Sequence, residues 1–265
     1  MLPVLFKLGP LTIHTYGFML ALGVGCGLWF MYVQAKKAGL NASRLLDVAF
    51  YTILISLAGA KLILFVANFS YYTKHPGELL SLARSGGVFQ GGLAFGVVFA
   101  LWFMNRHKIP VWKTADIAGP AVALGHAFGR IGCFSAGCCY GSECSLPWSV
   151  QFHNDYAHNL TGIPLGTSLH PTQLYESGLN FLNFFILFLV LKKKRFDGQV
   201  FALYILNYSV IRYITEFYRG DHPDKTYVFQ NPSPYLSLSY PQLFSLVGLV
   251  AGILLFVFLK KRKGA

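Results

Sequence analysis

Apolar residues come in seven long runs, and the charged residues collect in the connections between them. A helix needs roughly 20 mostly apolar residues to cross about 30 Å of hydrocarbon. The runs at about 14–35, 46–69, 88–105, 114–133, 173–191, 198–218 and 242–259 approach that length. They predict an all-α integral membrane protein with seven transmembrane helices. The fourth run is diluted by Asp116, Gly119, Pro120, Gly125, His126, Gly129 and Arg130, so charge placement, not hydropathy, assigns it. Two connections are longer and more polar. Residues 68–87 form an arm between the second and third runs. Residues 135–171 form a head rich in turn formers, with Pro147, Gly162, Pro164 and Gly166. No internal repeat or low-complexity linker interrupts the chain, which is therefore expected to be a single polytopic domain over 1–265. The lack of repeated halves also speaks against a transporter.

Basic residues alternate in density from one connection to the next. Lys36, Lys37, Arg44, Arg106, Lys108, Lys113, Lys192, Lys193, Lys194, Arg195, Lys260, Lys261, Arg262 and Lys263 fall on one side, and only Lys7, Lys74, Arg84, Arg219 and Lys225 on the other. Cytoplasmic loops carry the excess of Lys and Arg, which predicts a periplasmic N-terminus, a cytoplasmic C-terminus and an odd number of crossings. The first run is too long for a signal-peptide core and lacks a small-residue cleavage site, so it is expected to be retained.

Composition agrees with a bilayer as solvent: 54% of residues are hydrophobic and only 12% are charged. The formal net charge of +12 reads as topology plus attraction to anionic headgroups. No nucleic-acid partner is expected, because no basic stripe is interleaved with aromatics.

Ionisable groups within hydrocarbon cost roughly 2.5–3.5 kcal/mol each and tend to be functional. Here they are Lys61, Asp116, Arg130, Glu176, Arg212 and Glu216, with Arg219 at the edge. In "YSVIRYITEFYRGD", Tyr208, Arg212, Glu216 and Arg219 share one helical stripe. Arginine's planar fork of donors suits phosphate, so Arg130, Arg212 and Arg219 predict a site for an anionic phospholipid headgroup. The competing reading is that the same arginines pair with Glu176, Glu216 and Asp221 and only staple helices together. Gly125, Gly129 and Gly132 in the fourth run give a smooth side for a neighbouring helix or a lipid. Gly91, Gly92 and Gly96 do the same in the third, with Gln90 at its mouth.

Four of the five cysteines, Cys133, Cys138, Cys139 and Cys144, lie within twelve residues. Their spacing does not match paired CxxC ligand sites. They are expected to be buried small hydrophobes, with a disulfide from Cys144 as the second reading and metal or redox chemistry as the third. No metal and no cofactor are predicted.

The stretch "HAFGRIGCFSAGCCYG" resembles the signature of the prolipoprotein diacylglyceryl transferase family. So do "IHTYGFML", "GGVFQGGL", "DIAGP", "HPTQLYE" and "YSVIRYITEFYR", in the family's order and over nearly the whole chain. The resemblance implies a multi-pass enzyme of the bacterial inner membrane, with its active site open to the periplasmic leaflet. Its partners would be phosphatidylglycerol as diacylglyceryl donor and a prelipoprotein signal peptide as acceptor, a thioether forming as glycerol phosphate leaves. Arg130 and Arg212 match the family's catalytic, headgroup-binding arginines, and Tyr16, Gln90, Gly91, Gly141, His170, Tyr208 and Glu216 fall on substrate-binding motif positions.

Three positions depart from the pattern. Gln90 stands where the family commonly has a histidine and cannot accept a proton at neutral pH. Cys133 and Cys138 stand where asparagine and glutamate are common. Without that histidine, the field of Arg130 and Arg212 is expected to favour the acceptor thiolate, whose unperturbed pKa is near 8.5. His126, one turn before Arg130, is the candidate base. The alternative is a lipid-binding membrane protein of the same fold that uses its cysteines for redox sensing or metal binding.

Overall fold

The computed structural model describes residues 2–9, 11–78, 87–221, 227–229 and 237–263. Arg84 and Lys225, counted above on the less basic side, lie outside the described residues, as does 79–86 of the arm.

The chain is a helical membrane protein, and each of the seven apolar runs is a helix. They are α1 (Thr15–Lys37), α2 (Ala42–Ala67), α4 (Phe89–Arg106), α5 (Val111–Ala136), α7 (Thr172–Lys193), α8 (Gln199–Glu216) and α9 (Tyr240–Lys263). Two short helices, α3 (Phe69–Lys74) and α6 (Asp155–Thr161), lie in the arm and the head. Among the described residues, four helices are long and apolar enough to cross a membrane: Thr15–Lys37, Ala42–Ala67, Thr172–Lys193 and Tyr240–Arg262. An N-terminal hairpin, β1 (Val4–Leu8) and β2 (Leu11–His14), has no counterpart in the sequence reading.

Burial runs opposite to that of a water-soluble bundle. On α7, Gln173, Glu176, Asn180 and Asn183 are buried, whereas Leu182, Phe185 and Leu189 are 55–60% exposed. Apolar residues are the most often buried in water-soluble proteins. Here lipid takes the apolar face, and the ionisable and amide groups turn inward.

The chain forms two compact units, Met31–Thr114 and the remainder. In the first, α2 packs along α4. Gly91, Gly92 and Gly96 turn their missing side chains onto Ile63, Ser56 O and Ser56 Oγ of α2, and a Cβ at Gly91 would lie 2.6 Å from Ile63 Cγ1. These glycines serve helix packing. The backbone N–H of Val88 also donates to Ala60 O at 3.0 Å, fixing where α4 begins.

In the other unit, α9 runs along α8 and α8 along α7. Helix α1 crosses α5 at Gly23 and Gly125, and a Cβ on Gly23 would sit 2.9 Å from Gly125 O. Ala123, Leu187 and Val200 form a core joining α5, α7 and α8. The fully buried Asp116 ties the same three helices together. Its Oδ2 accepts from Lys194 Nζ at 2.8 Å and Gly198 N at 2.8 Å, and its Oδ1 from Val200 N at 2.9 Å and Phe201 N at 3.0 Å. One carboxylate thus satisfies orphan donors at the start of α8 and neutralises a lysine.

The head has its own small core of Phe152, Ala157, Ile163 and Leu169, backed by Phe134, Tyr140 and Val150. It rejoins the helices at Gly141, where a Cβ would strike His170 O and lie 2.9 Å from Thr172 Cγ2.

Two substitutions test this framework. Asp116→Ala leaves three backbone N–H groups unanswered and Lys194 with Asp197 alone, and should cost about 3 kcal/mol or more, read as a lower melting temperature of the detergent-solubilised chain. Gly141→Ala should cost about 1–3 kcal/mol by overpacking and make the head easier to cleave by protease; wild-type resistance would contradict the packing described.

Candidate active site

Helix α5 ends in a turn that its own sequence builds. Gly137 N and Cys138 N donate to Cys133 O at 3.0 and 3.2 Å, with Gly137 left-handed at φ 80°, the usual way to close a helix. Cys139 is also left-handed, at φ 62°, a conformation uncommon for a side chain other than glycine. The first turn of α7 holds the next two carbonyls: Gln173 Nε2 donates to Cys138 O and Thr172 Oγ1 to Cys139 O, both at 2.9 Å.

Beyond the turn, 140–142 threads between two other segments. Gly141 N donates to His170 O at 3.2 Å, Ser142 N to Tyr218 O at 2.8 Å and Gly220 N to Tyr140 O at 3.1 Å. The stretch after α8 is therefore anchored to the turn after α5, and Arg219 pairs with Gly141 in a bridge. Helix α8 itself stops at Glu216. Past Glu216 the chain continues only in tighter turns, Tyr218 N donating to Thr215 O and Arg219 N to Glu216 O, so Arg219 lies beyond the helix that was expected to carry it.

The arginines come together around this junction. Arg130 Nη2 lies 2.9 Å from Glu176 Oε1, and Arg130 Nε donates to His126 Nε2 at 3.2 Å. His126 Nε2 is also 3.3 Å from Glu176 Oε1. That nitrogen accepts from Arg130 only when unprotonated and donates to Glu176 only when protonated, so one partner at a time holds it. Arg212 Nη1 lies 2.8 Å from Glu216 Oε2, whose other oxygen accepts from Ser239 Oγ at 3.2 Å. Arg219 grips Asp221 through Nε at 2.9 Å and Nη2 at 2.5 Å. Burial pulls the Arg219 guanidinium down, but the hydrogen bonds and charge of Asp221 outweigh it and hold its pKa above the ordinary value. Arg219 is close enough to Arg130, and Arg212 to Glu176, for their charges to interact. Tyr208 lies within reach of all three arginines, and its ring is tilted against that of His126 with centroids 5.4 Å apart.

The arginines are paired, and they still carry spare donors. Each has its carboxylate, as stapling requires. Yet the pairs use only part of each guanidinium: Arg130 Nη1 and the Nε and Nη2 of Arg212 have no protein partner among the described residues.

The other expected site residues divide. Gly141 and His170 lie at the junction, where burial lowers the His170 pKa. Tyr16, in the first turn of α1, packs against Gly132 and lies near Arg130 and three of the cysteines. Gln90 and Gly91 open α4, in the other compact unit. At Gly129 a Cβ would meet nothing within 4 Å, unlike Gly132, so the glycine face of α5 is only partly filled.

All five cysteines are free and partly buried. Cys144 has no disulfide, but the turn gathers Cys133, Cys138 and Cys139 until their Sγ atoms lie within 4.8 Å of one another. Sequence spacing did not foresee this. Its signal was Gly137 after the helix, which folds the chain back on Cys133.

Comparison with known proteins places these residues in context. The prolipoprotein diacylglyceryl transferase family model matches residues 3–258. A phosphatidylglycerol–prolipoprotein diacylglyceryl transferase of Clostridium tetani is 36% identical over 264 residues, covering 99% of this chain and 100% of the relative. Proteins of the same name from Bacillus velezensis, at 33% identity over 99% of this chain and 93% of the relative, and Finegoldia magna, at 29% over 98% and 96%, are also similar. With a match over almost its full length, the chain belongs to the prolipoprotein diacylglyceryl transferase family.

Proposed function

We propose that this chain transfers the diacylglyceryl group of phosphatidylglycerol to the lipobox cysteine thiol of prelipoproteins, releasing glycerol phosphate. The observation that carries the reading is the convergence of Arg130, Arg212 and Arg219 around the α5 turn, with guanidinium donors left over after each carboxylate is paired. Those donors are suited to a phosphodiester, and they gain strength as charge grows on the leaving phosphate. Relatives carry the transferase name, so a lipid-binding protein without transfer is not favoured.

Within this reading Arg130 and Arg212 touch the phosphate. Glu176 fixes Arg130 from α7, and His126 positions it through Nε. For His126 Nε2 to serve as base it must first release the Arg130 Nε donor. Tyr16 and Tyr208 border the headgroup, while Gly141 and His170 hold the junction in place. The basic connections support seven crossings with the N-terminus outside, the bacterial relatives support the plasma membrane, and on this reading the junction faces the outer side.

Transfer from labelled phosphatidylglycerol to a lipobox peptide tests the reading. Arg130→Ala should lower the rate by at least about 10²-fold, the scale of losing one charge-stabilising donor. Arg130→Lys should not restore it, since a point charge cannot replace the fork. Wild-type rates in either variant would refute the assignment. A reporter fused after Lys263 should be active only in the cytoplasm; activity outside would reverse the topology.

A further inference from the structure

The transfer reaction proposed above needs an acceptor thiol in its thiolate form, and the residues so far described contain no dedicated base for it. Gln90 cannot take a proton, and the lone pair of His126 Nε2 is taken by the Arg130 Nε donor. Beside the arginines, however, lie three thiols of this chain's own. Their Sγ atoms are within 4.8 Å of one another. Three sulfurs around one zinc at about 2.3 Å would sit about 3.8 Å apart, so modest rotation of the side chains closes the site.

Two further observations set this cluster apart from chance packing. Cys139 is held left-handed at φ 62°, a strained conformation that persists only where surroundings impose it. What imposes it are the Gln173 and Thr172 bonds to the carbonyls of Cys138 and Cys139. In addition, Arg130, Arg219 and Tyr16 all lie within electrostatic reach of the cluster, so negative sulfur there is met by positive charge.

We propose that Cys133, Cys138 and Cys139 bind a zinc-class cation as three thiolates, and that the cation's open fourth position takes the acceptor cysteine of the lipobox. Structural zinc sites are closed by four protein ligands, whereas catalytic sites keep three and leave one position open. The acceptor is itself a thiol, the ligand softest zinc sites prefer, and coordination deprotonates it outright. The three cysteines are partly exposed, as an incoming ligand requires. The step balances. The acceptor thiol gives its proton to solvent on binding; its sulfur then bonds to the diacylglyceryl carbon; that carbon's bond to phosphate oxygen breaks, and the electron pair leaves with glycerol phosphate. The thioether product is neutral and a weaker ligand, so it departs.

The full-length chain, purified without chelator and equilibrated with zinc(II), should hold about one zinc per chain. Cys138→Ser and Cys139→Ser should each weaken retention at least tenfold, and Cys144→Ser and Cys26→Ser should not. With cobalt(II) in the wild-type chain, a lipobox peptide should raise the thiolate-to-metal absorption by about a third as a fourth sulfur joins three; the same peptide with serine should not. This second measurement depends on no variant folding. A wild-type chain that binds no zinc, a disulfide within the cluster, zinc kept by both cysteine variants, or a cobalt spectrum blind to the cysteine peptide would each overturn the proposal. Transfer that survives zinc removal and Cys138→Ser overturns the site but leaves the transferase reading intact. Zinc and peptide bound without any product supports the site and removes the reaction.

Discussion

A guanidinium at Arg130 can remain in a bundle that faces lipid only because Glu176 reaches it from the neighbouring helix. Breaking such a pair by removing one partner costs several kcal/mol, since the other charge is left buried alone. The pair therefore fixes how α5 and α7 face one another, and with them the rest of α7. Once Glu176 points inward, the residues one turn away along α7, Gln173 and Asn180, share its face and are buried, and Leu182, Phe185 and Leu189 are turned outward. Arg212 with Glu216 repeats the solution on α8. On these helices the ionisable groups face the interior, where they pair, and large apolar side chains face lipid.

The same helices are joined at their other end by a different device. Asp116 accepts the first N–H groups of α8 and a lysine from the end of α7, so α5, α7 and α8 are fastened at both ends of α5. Between these two fastenings, chemistry is concentrated at the one with spare donors. Asp116 accepts four hydrogen bonds and has little capacity left. Arg130 and Arg212 keep nitrogens available, and that difference, not charge alone, separates a structural ion site from a candidate phosphate site.

Much of this was legible beforehand. Hydrophobic run length placed six of the seven long helices, because a bilayer-crossing segment must be continuous and apolar, and the alternation of basic connections placed the fourth. The ion pairs of Arg130, Arg212 and Arg219 were legible as one of two readings, from the rarity of charge in such segments. Arg219 was expected on the helix of α8 because periodicity assumes that the helix continues, whereas past Glu216 the chain tightens into turns and Tyr218 O and Gly220 N bond to the segment 140–142. The N-terminal hairpin escaped notice because Val4–Leu8 and Leu11–His14 are short and merge into the apolar run of α1. The glycines of α4 were ambiguous in sequence, since close approach by a helix and by a lipid ask for the same small residue, and Ile63 and Ser56 resolve them as packing.

By itself the sequence determined the solvent, the number of long helices, the residues bearing charge among them and the family to which the motifs belong, since these depend on composition and order along one dimension. What the tertiary structure decided is which groups meet. Cys133 and Cys138 are five residues apart, and whether their sulfurs converge depends on Gly137 turning left-handed and on donors from Gln173 and Thr172 thirty-odd residues downstream. Likewise the choice of Glu176 by Arg130, across 46 positions, is set by helix packing. Distances between residues remote in the chain are fixed by the free energy of the whole fold, which no local pattern encodes.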